Sequence, residues 1–175
     1  NANLQRYAEA FSFLQSKDLY TVDDLETTLH AMQDKIDMLK KAASTKQARI
    51  KEVNELLRMV DYYKSGKSAA DKLKFIRFEK SRQKYKAEHD DELRTFYMAE
   101  RKLKPYFKDG KLPITAWRRE REQLEQDCKD IQTELSPLHA DVKRLWAIHY
   151  NIYEVQHEQE RQNTELRQKK QEIEH

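Results

Sequence analysis

Apolar side chains recur between Leu25 and Val60 at steps of four and three that never slip: Leu25, Leu29, Met32, Ile36, Leu39, Ala43, Lys46, Ile50, Val53, Leu57 and Val60. A repeat averaging about 3.5 residues belongs to a helix that buries one narrow stripe against a partner helix. Lys46 is the one member that is not apolar, and its methylene stem can lie along a seam while the ammonium stays in water. A second ladder alternates in the same way: Ile114, Trp117, Arg121, Leu124, Cys128, Ile131, Leu135, Leu138, Val142, Leu145, His149 and Ile152. At ~1.5 Å per residue each ladder is about 55 Å long. Each stripe supplies what the other must bury. The pattern therefore predicts an all-α fold: a long antiparallel helical hairpin, or coiled coil, with a helical insert at its tip and a short N-terminal helix.

The expected boundaries are a short helix over 3–17, a first rod helix over 22–64, a basic helical insert over 66–107 and a second rod helix over 114–175, together one elongated domain. Leu4, Tyr7, Phe11 and Leu14 share a face of the first helix, with Phe13 beside them. Thr21 is the expected N-cap of the first rod helix, with Asp24 at the third helical position reaching back as in a capping box. Gly66 reads as that helix's stop. Glu88-His89-Asp90-Asp91 reads as a corner within the insert, and Pro105 should end the helix near Lys104. Lys108-Asp109-Gly110-Lys111-Leu112-Pro113 is the clearest loop. Pro137 lies off the seam and should kink the second rod helix rather than end it, because the apolar frame continues across it. Past Ile152 the frame turns polar, so residues 153–175 either fray or pair with another chain, which makes self-association through this tail one expectation.

Charged residues make up 37% of the 175 positions and apolar ones 38%, with only two glycines and three prolines. Few breakers and a thin apolar supply agree with long helices and a large wet surface rather than a layered globular core. The single Cys128 excludes an internal disulfide and a thiolate metal cage, and fits a reducing, cytoplasmic setting. No apolar run reaches the ~20 residues needed to span a bilayer, so membrane insertion is not expected. No secretory signal pattern is present. The first residue is Asn rather than Met, as in a piece of a longer protein.

The net charge of +3 says little, but its distribution says more. Between Lys64 and Lys86 stand nine Lys or Arg against two acids, Asp71 and Glu79. Such a helical surface can neutralise phosphates and release their counterions; the bland reading is a solvated face. The candidate DNA-binding residues are Lys72, Lys74, Arg77, Lys80, Arg82, Lys84 and Lys86, with Arg101, Lys102 and Lys104 behind them. The interleaved Phe75, Phe78 and Tyr85 are expected in the core, as are the anchors Trp117 and Trp146. Gly66-Lys67-Ser68 lacks the earlier glycine of a phosphate-binding loop, since Asp61 stands there. The histidines show none of the familiar local metal spacings; His149 reads as a seam residue, and His89 as surface charge. Cys128, on the seam, reads as a small buried hydrophobe. No catalytic constellation, metal site or cofactor site emerges, so this chain alone is not expected to be an enzyme.

One resemblance remains. Phe13-Leu14, Leu19-Tyr20 and Asp24-Leu25 form its first part. Arg49-Ile50, Leu56-Leu57 and Tyr62-Tyr63-Lys64 follow. Lys84-Tyr85-Lys86, His89, Glu92-Leu93, Tyr97 and Ala99 come next, and Gly110-Lys111-Leu112-Pro113 leads into a long charged helix. Together these resemble the helical region C-terminal to the nuclease in relaxase/mobilisation proteins of Gram-positive plasmids and integrative conjugative elements, over most of residues 10–150. The resemblance implies a parent that nicks one DNA strand at a transfer origin during conjugation and stays attached to it. The tyrosine nucleophile and histidine cluster of that family are not in this chain, so no catalytic residue carries over. It implies DNA, a relaxosome protein or the transfer machinery as partners. The alternative is a structural coiled coil that binds protein or self-associates, with no nucleic-acid role.

Overall fold

The computed structural model describes residues 2–173. Five α-helices and one 3₁₀ turn account for nearly all of them: α1 (Ala2–Ser16), α2 (Val22–Phe75), α3 (Glu79–Glu88), α4 (Asp90–Leu103), the 3₁₀ turn Lys104–Tyr106, and α5 (Ile114–Ile173). The fold is all-α, with α2 and α5 as the long pair and α1 as the short N-terminal helix. α5 runs on through Pro137. The helix expected to reach residue 175 is followed to Ile173, and the last two positions lie outside the described residues.

The loop before α5 is a two-residue hairpin. Lys108 and Lys111 exchange both backbone hydrogen bonds, each 2.9 Å. Asp109 and Gly110 both have positive φ, 49° and 72°. Two consecutive left-handed residues define a type I′ turn, and Asp-Gly is the pair that adopts it at least cost.

By internal packing the chain forms two compact units, one from residues 1–41 and 131–175, the other from residues 42–130. In the first unit, Leu19, Leu25, Leu29 and Ile36 pack with Leu135, Val142 and Leu145; Met32, Leu39, Ile131, Leu138 and Ile152 close around them. The pairing of α2 with α5 is antiparallel. Glu26 Oε1 lies 2.9 Å from His149 Nε2, and nine residues further on Lys35 meets Glu134 at 2.8 Å. The expected capping box is present: the Asp24 N–H donates to Thr21 Oγ1 (3.1 Å) and the Thr21 N–H to Asp24 Oδ2 (3.2 Å).

Two apolar assignments in this unit need correction. Of the α1 stripe, Leu14 is packed with Phe13 beside it, whereas Leu4, Tyr7 and Phe11 stay exposed. The reason is local. The Lys17 and Leu19 N–H groups both return to the Leu14 carbonyl, with Asp18 in the left-handed region (φ 55°), and this cap pins only the last turn to the core. Trp146 is no packing anchor either, being 50% exposed. It follows Leu145 by one residue, which rotates it ~100° off the seam.

In the second unit Val53 and Val60 are buried with Trp117, and Leu57 packs alongside. Lys46 donates to Asp127 Oδ2 at 2.8 Å, so its charge leaves the seam as its stem allows. Arg49 holds Glu120 with two prongs, Nε to Oε1 at 2.6 Å and Nη2 to Oε2 at 3.2 Å. These bonds raise the Arg49 pKa above its ordinary value and lower that of Glu120. α2 carries a second apolar face here: Leu56 and Met59 pack with Ala99 and Leu103 of α4.

α2 does not stop at Gly66, as expected from the sequence, nor at residue 64; it runs to Phe75, so the first ten residues assigned to the insert belong to the long helix. Gly66 is buried within it. A Cβ there would stand 2.6 Å from Phe96 Cβ and 2.9 Å from the Glu92 carbonyl oxygen. The glycine is therefore a close-approach point for α4 rather than a terminator. Ala69, Ala70 and Leu73 extend this contact to Leu93 and Phe96. Tyr63 stacks on Phe96, centroids 5.0 Å apart, and meets Phe107 edge-on at 5.6 Å.

Candidate nucleic-acid interface

The candidate cations sit mainly on the last turn of α2, the connection after it, and α3. Leu73 turns into the α2–α4 contact, 4% exposed, so its neighbours Lys72 and Lys74 must face water. The chain leaves the helix at Phe75 and enters α3 after Phe78, which is extended (φ −84°, ψ 127°). No glycine or proline marks this break. Ile76 is half-buried there, and its N–H returns to the Leu73 carbonyl at 3.3 Å.

α3 has no buried residue. It is held by half-buried Tyr85, which packs against the Ala69–Leu93–Phe96 cluster and stacks with His89 at 4.2 Å. His89 is thus a ring-stacked joint between α3 and α4, not surface charge alone; it also lies 3.7 Å from Glu92. Lys80, Lys84 and Lys86 are exposed around α3, and Arg82 is half-buried.

Phe75 and Phe78 are not core residues: they are 83% and 78% exposed. They flank the break at the two ends of Phe75-Ile76-Arg77-Phe78, where Ile76 takes the inward position. Hydrophobicity does not compel burial, but two phenylalanine rings in water amid cations are a distinctive surface.

Ion pairing divides the ten candidates. Lys74 meets Asp71 at 3.6 Å and Lys84 meets Glu88 at 3.9 Å, both within one helix. Lys102 donates to Glu55 Oε1 at 3.2 Å, and this bond foremost lowers the Glu55 pKa. Arg101 Nε donates to its own helix, at the Tyr97 carbonyl (3.4 Å). Lys72, Arg77, Lys80, Arg82, Lys86 and Lys104 make no ion pair among the described residues. Exposed pairs of this kind contribute little to stability and open readily for a phosphate.

Among the described residues no group of three or more His, Cys, Asp and Glu is placed to hold a metal ion, and no helix is long and apolar enough to cross a membrane. Cys128 is half-buried on its seam position. Fold and surface together define an all-α protein with a paired long-helix scaffold and one cationic stretch carrying two exposed phenylalanines. No protein-family model, curated protein or solved structure matches this chain.

Proposed function

We propose that this chain is a helical accessory region of a DNA relaxase or mobilisation protein, and that it grips the DNA backbone through the surface of residues 72–104. The carrying observation is the set of five exposed or half-exposed cations without an ion-pair partner among the described residues, Lys72, Arg77, Lys80, Arg82 and Lys86, on the segment that carries Phe75 and Phe78. Cations in this arrangement neutralise phosphates without reading sequence, and exposed rings offer platforms on which unpaired bases stack. The resemblance to the region behind the nuclease of conjugative relaxases supports DNA as the polyanion. Strand nicking would belong to the parent, not to these residues. Cytoplasmic action accords with a lone free thiol, and docking to relaxosome or transfer proteins is compatible with the remaining helical surface.

Fluorescence anisotropy with single- and double-stranded oligonucleotides at two salt concentrations tests this. Binding should weaken steeply with salt. Arg77→Glu, Lys80→Glu and Lys84→Glu together should weaken it further and flatten the logarithmic salt slope by ~0.7–0.9 per lost contact. Lys40→Glu, on an exposed α2 position of the other unit, should change nothing. No binding at low salt rejects the proposal, as does equal loss from both sets of substitutions. The rival reading, a module that associates with protein, is favoured by one separate feature, the uncovered stretch of α5 from residue 153 to 173.

A further inference from the structure

No residue of α5 from 153 to 173 is buried. Yet one of its faces carries a ladder that shares Ile152, Gln159, Leu166 and Ile173 with the continuing seam frame and adds Ile148, Val155, Gln162 and Lys169 beside it, again in steps of four and three; Ile148 and Ile152 are half-buried against the α2–α5 core, and the members beyond them are uncovered. Its first three members line a groove of about 710 Å³ against Tyr7, Phe11 and Leu14 of α1. In the groove Tyr7 is 64% exposed, Phe11 60% and Val155 49%, and further along α5 Leu166 is 58% and Ile173 83% exposed.

We infer that this groove receives residues 165–173 of α5 from a second copy of the chain, the two α5 ends laid antiparallel about a two-fold axis between Glu160 and Arg161. The register follows from the ladder itself. In that overlap Ile173 of the second copy meets Ile148, Leu166 meets Val155, and Gln159 meets Gln162, each pair occurring twice. Apolar groups meet apolar ones and amides meet amides; Lys169 alone lies over an apolar partner, Ile152, where its stem can pack and its ammonium escape. Sliding the helices by one heptad sets Leu166 against Gln162, or Val155 against Gln159. The rim agrees. Arg6 and Glu154 line the groove, and the entering Leu166 is flanked by Glu165 and Arg167, of opposite sign. In the stated register Arg167 of the second copy stands opposite Glu154. A self-matching patch of this kind gives a closed dimer rather than a chain of copies. The overlap of residues 148–173 is about 39 Å long at 1.5 Å per residue.

Sedimentation and light scattering on the full chain test the association. The mass should rise from 21.1 kDa toward twice that value with concentration. Leu166→Glu and Ile173→Glu change exposed positions and should leave the helical signal intact. Each should raise the dissociation constant about tenfold or more. Register is tested in a Cys128→Ser background. Val155→Cys mixed with Leu166→Cys should form a disulfide-linked pair on oxidation, whereas neither variant should cross-link with itself. A strict monomer at high micromolar concentration overturns the inference. So does self-cross-linking of either variant, which would indicate parallel tails, or a dimer indifferent to Leu166→Glu. These outcomes leave the DNA proposal untouched, because its residues lie in the other unit.

Discussion

Replacing Gly66 by alanine should destabilise the protein, against the intrinsic preference of a helix. In an exposed helix interior the change gains ~1 kcal/mol, because alanine is the best helix former and glycine among the poorest. Here the new methyl would sit 2.6 Å from Phe96 Cβ and 2.9 Å from the Glu92 carbonyl oxygen. Both atoms are fixed to the α4 backbone, so neither can swing aside as the end of a long side chain would. Relief requires α4 to move away from α2, loosening Phe96 and Leu93, which are 3% and 5% exposed. Overpacking of this type costs ~1–3 kcal/mol beyond what the site can absorb. With the propensity gain subtracted, we expect a net loss of up to about 2 kcal/mol, or a fall of up to roughly 8 °C in melting temperature for a chain of this length. Thermal unfolding followed by far-ultraviolet circular dichroism measures it. Ser68→Ala, two residues on and exposed, controls for propensity alone and should be neutral or slightly stabilising. A higher melting temperature for Gly66→Ala would refute the close approach of α2 and α4.

Leu145→Ala, at a fully buried seam position, should cost ~2–5 kcal/mol, while Met38→Ala on the exposed side of α2 should cost less than ~0.5 kcal/mol; chemical denaturation separates them. Thr21→Ala removes the hydroxyl that caps Asp24 N–H and should cost about 1 kcal/mol by the same assay. Glu120, Glu55 and Asp127 are held below their ordinary values of 4.5, 4.5 and 3.8, foremost by hydrogen bonds from Arg49, Lys102 and Lys46 respectively. The unfolded chain therefore binds more protons than the folded one across that range, so their contribution is present above the ordinary values and is lost as pH falls through the lowered ones. Urea midpoints should drop in that acidic window, and less steeply in Arg49→Met. Phe75→Ala combined with Phe78→Ala should change stability by less than ~1 kcal/mol, since both rings are exposed, and so can report on nucleic-acid binding alone.

The paired long helices were legible because a period near 3.5 constrains a helix at every turn: each ladder position from Leu25 to Val60 and from Ile114 to Ile152 is buried or half-buried. The helix between the Glu88–Asp91 corner and Lys104 was legible too, as α4 (Asp90–Leu103), but its docking on α2 was harder to see. Its trace is the pair of doublets Leu56-Leu57 and Met59-Val60, where one apolar stripe widens to two faces. Gly66 misled because glycine's local meaning is a stop, whereas its meaning here depends on α4, about thirty residues away and invisible to local propensity. Phe75 and Phe78 misled for the opposite reason: apolarity permits burial without requiring it. The exposure of the candidate lysines could be read from charge, but not the capture of Lys102 by Glu55, separated by 47 residues.

The division of the chain also bears on how the molecule is made. Residues 42–130 are one uninterrupted stretch, so their partners emerge from the ribosome close together in time. The other unit is built from two stretches separated by those 89 residues. Lys17 and Asp141, bonded at 2.7 Å, are 124 positions apart. During synthesis α1 and the start of α2 must therefore wait, with Leu25, Leu29 and Ile36 uncovered, until Leu135, Val142 and Leu145 have been translated. Truncation anywhere before residue 131 would strand those side chains without a mate, leaving the early product dependent on chaperones.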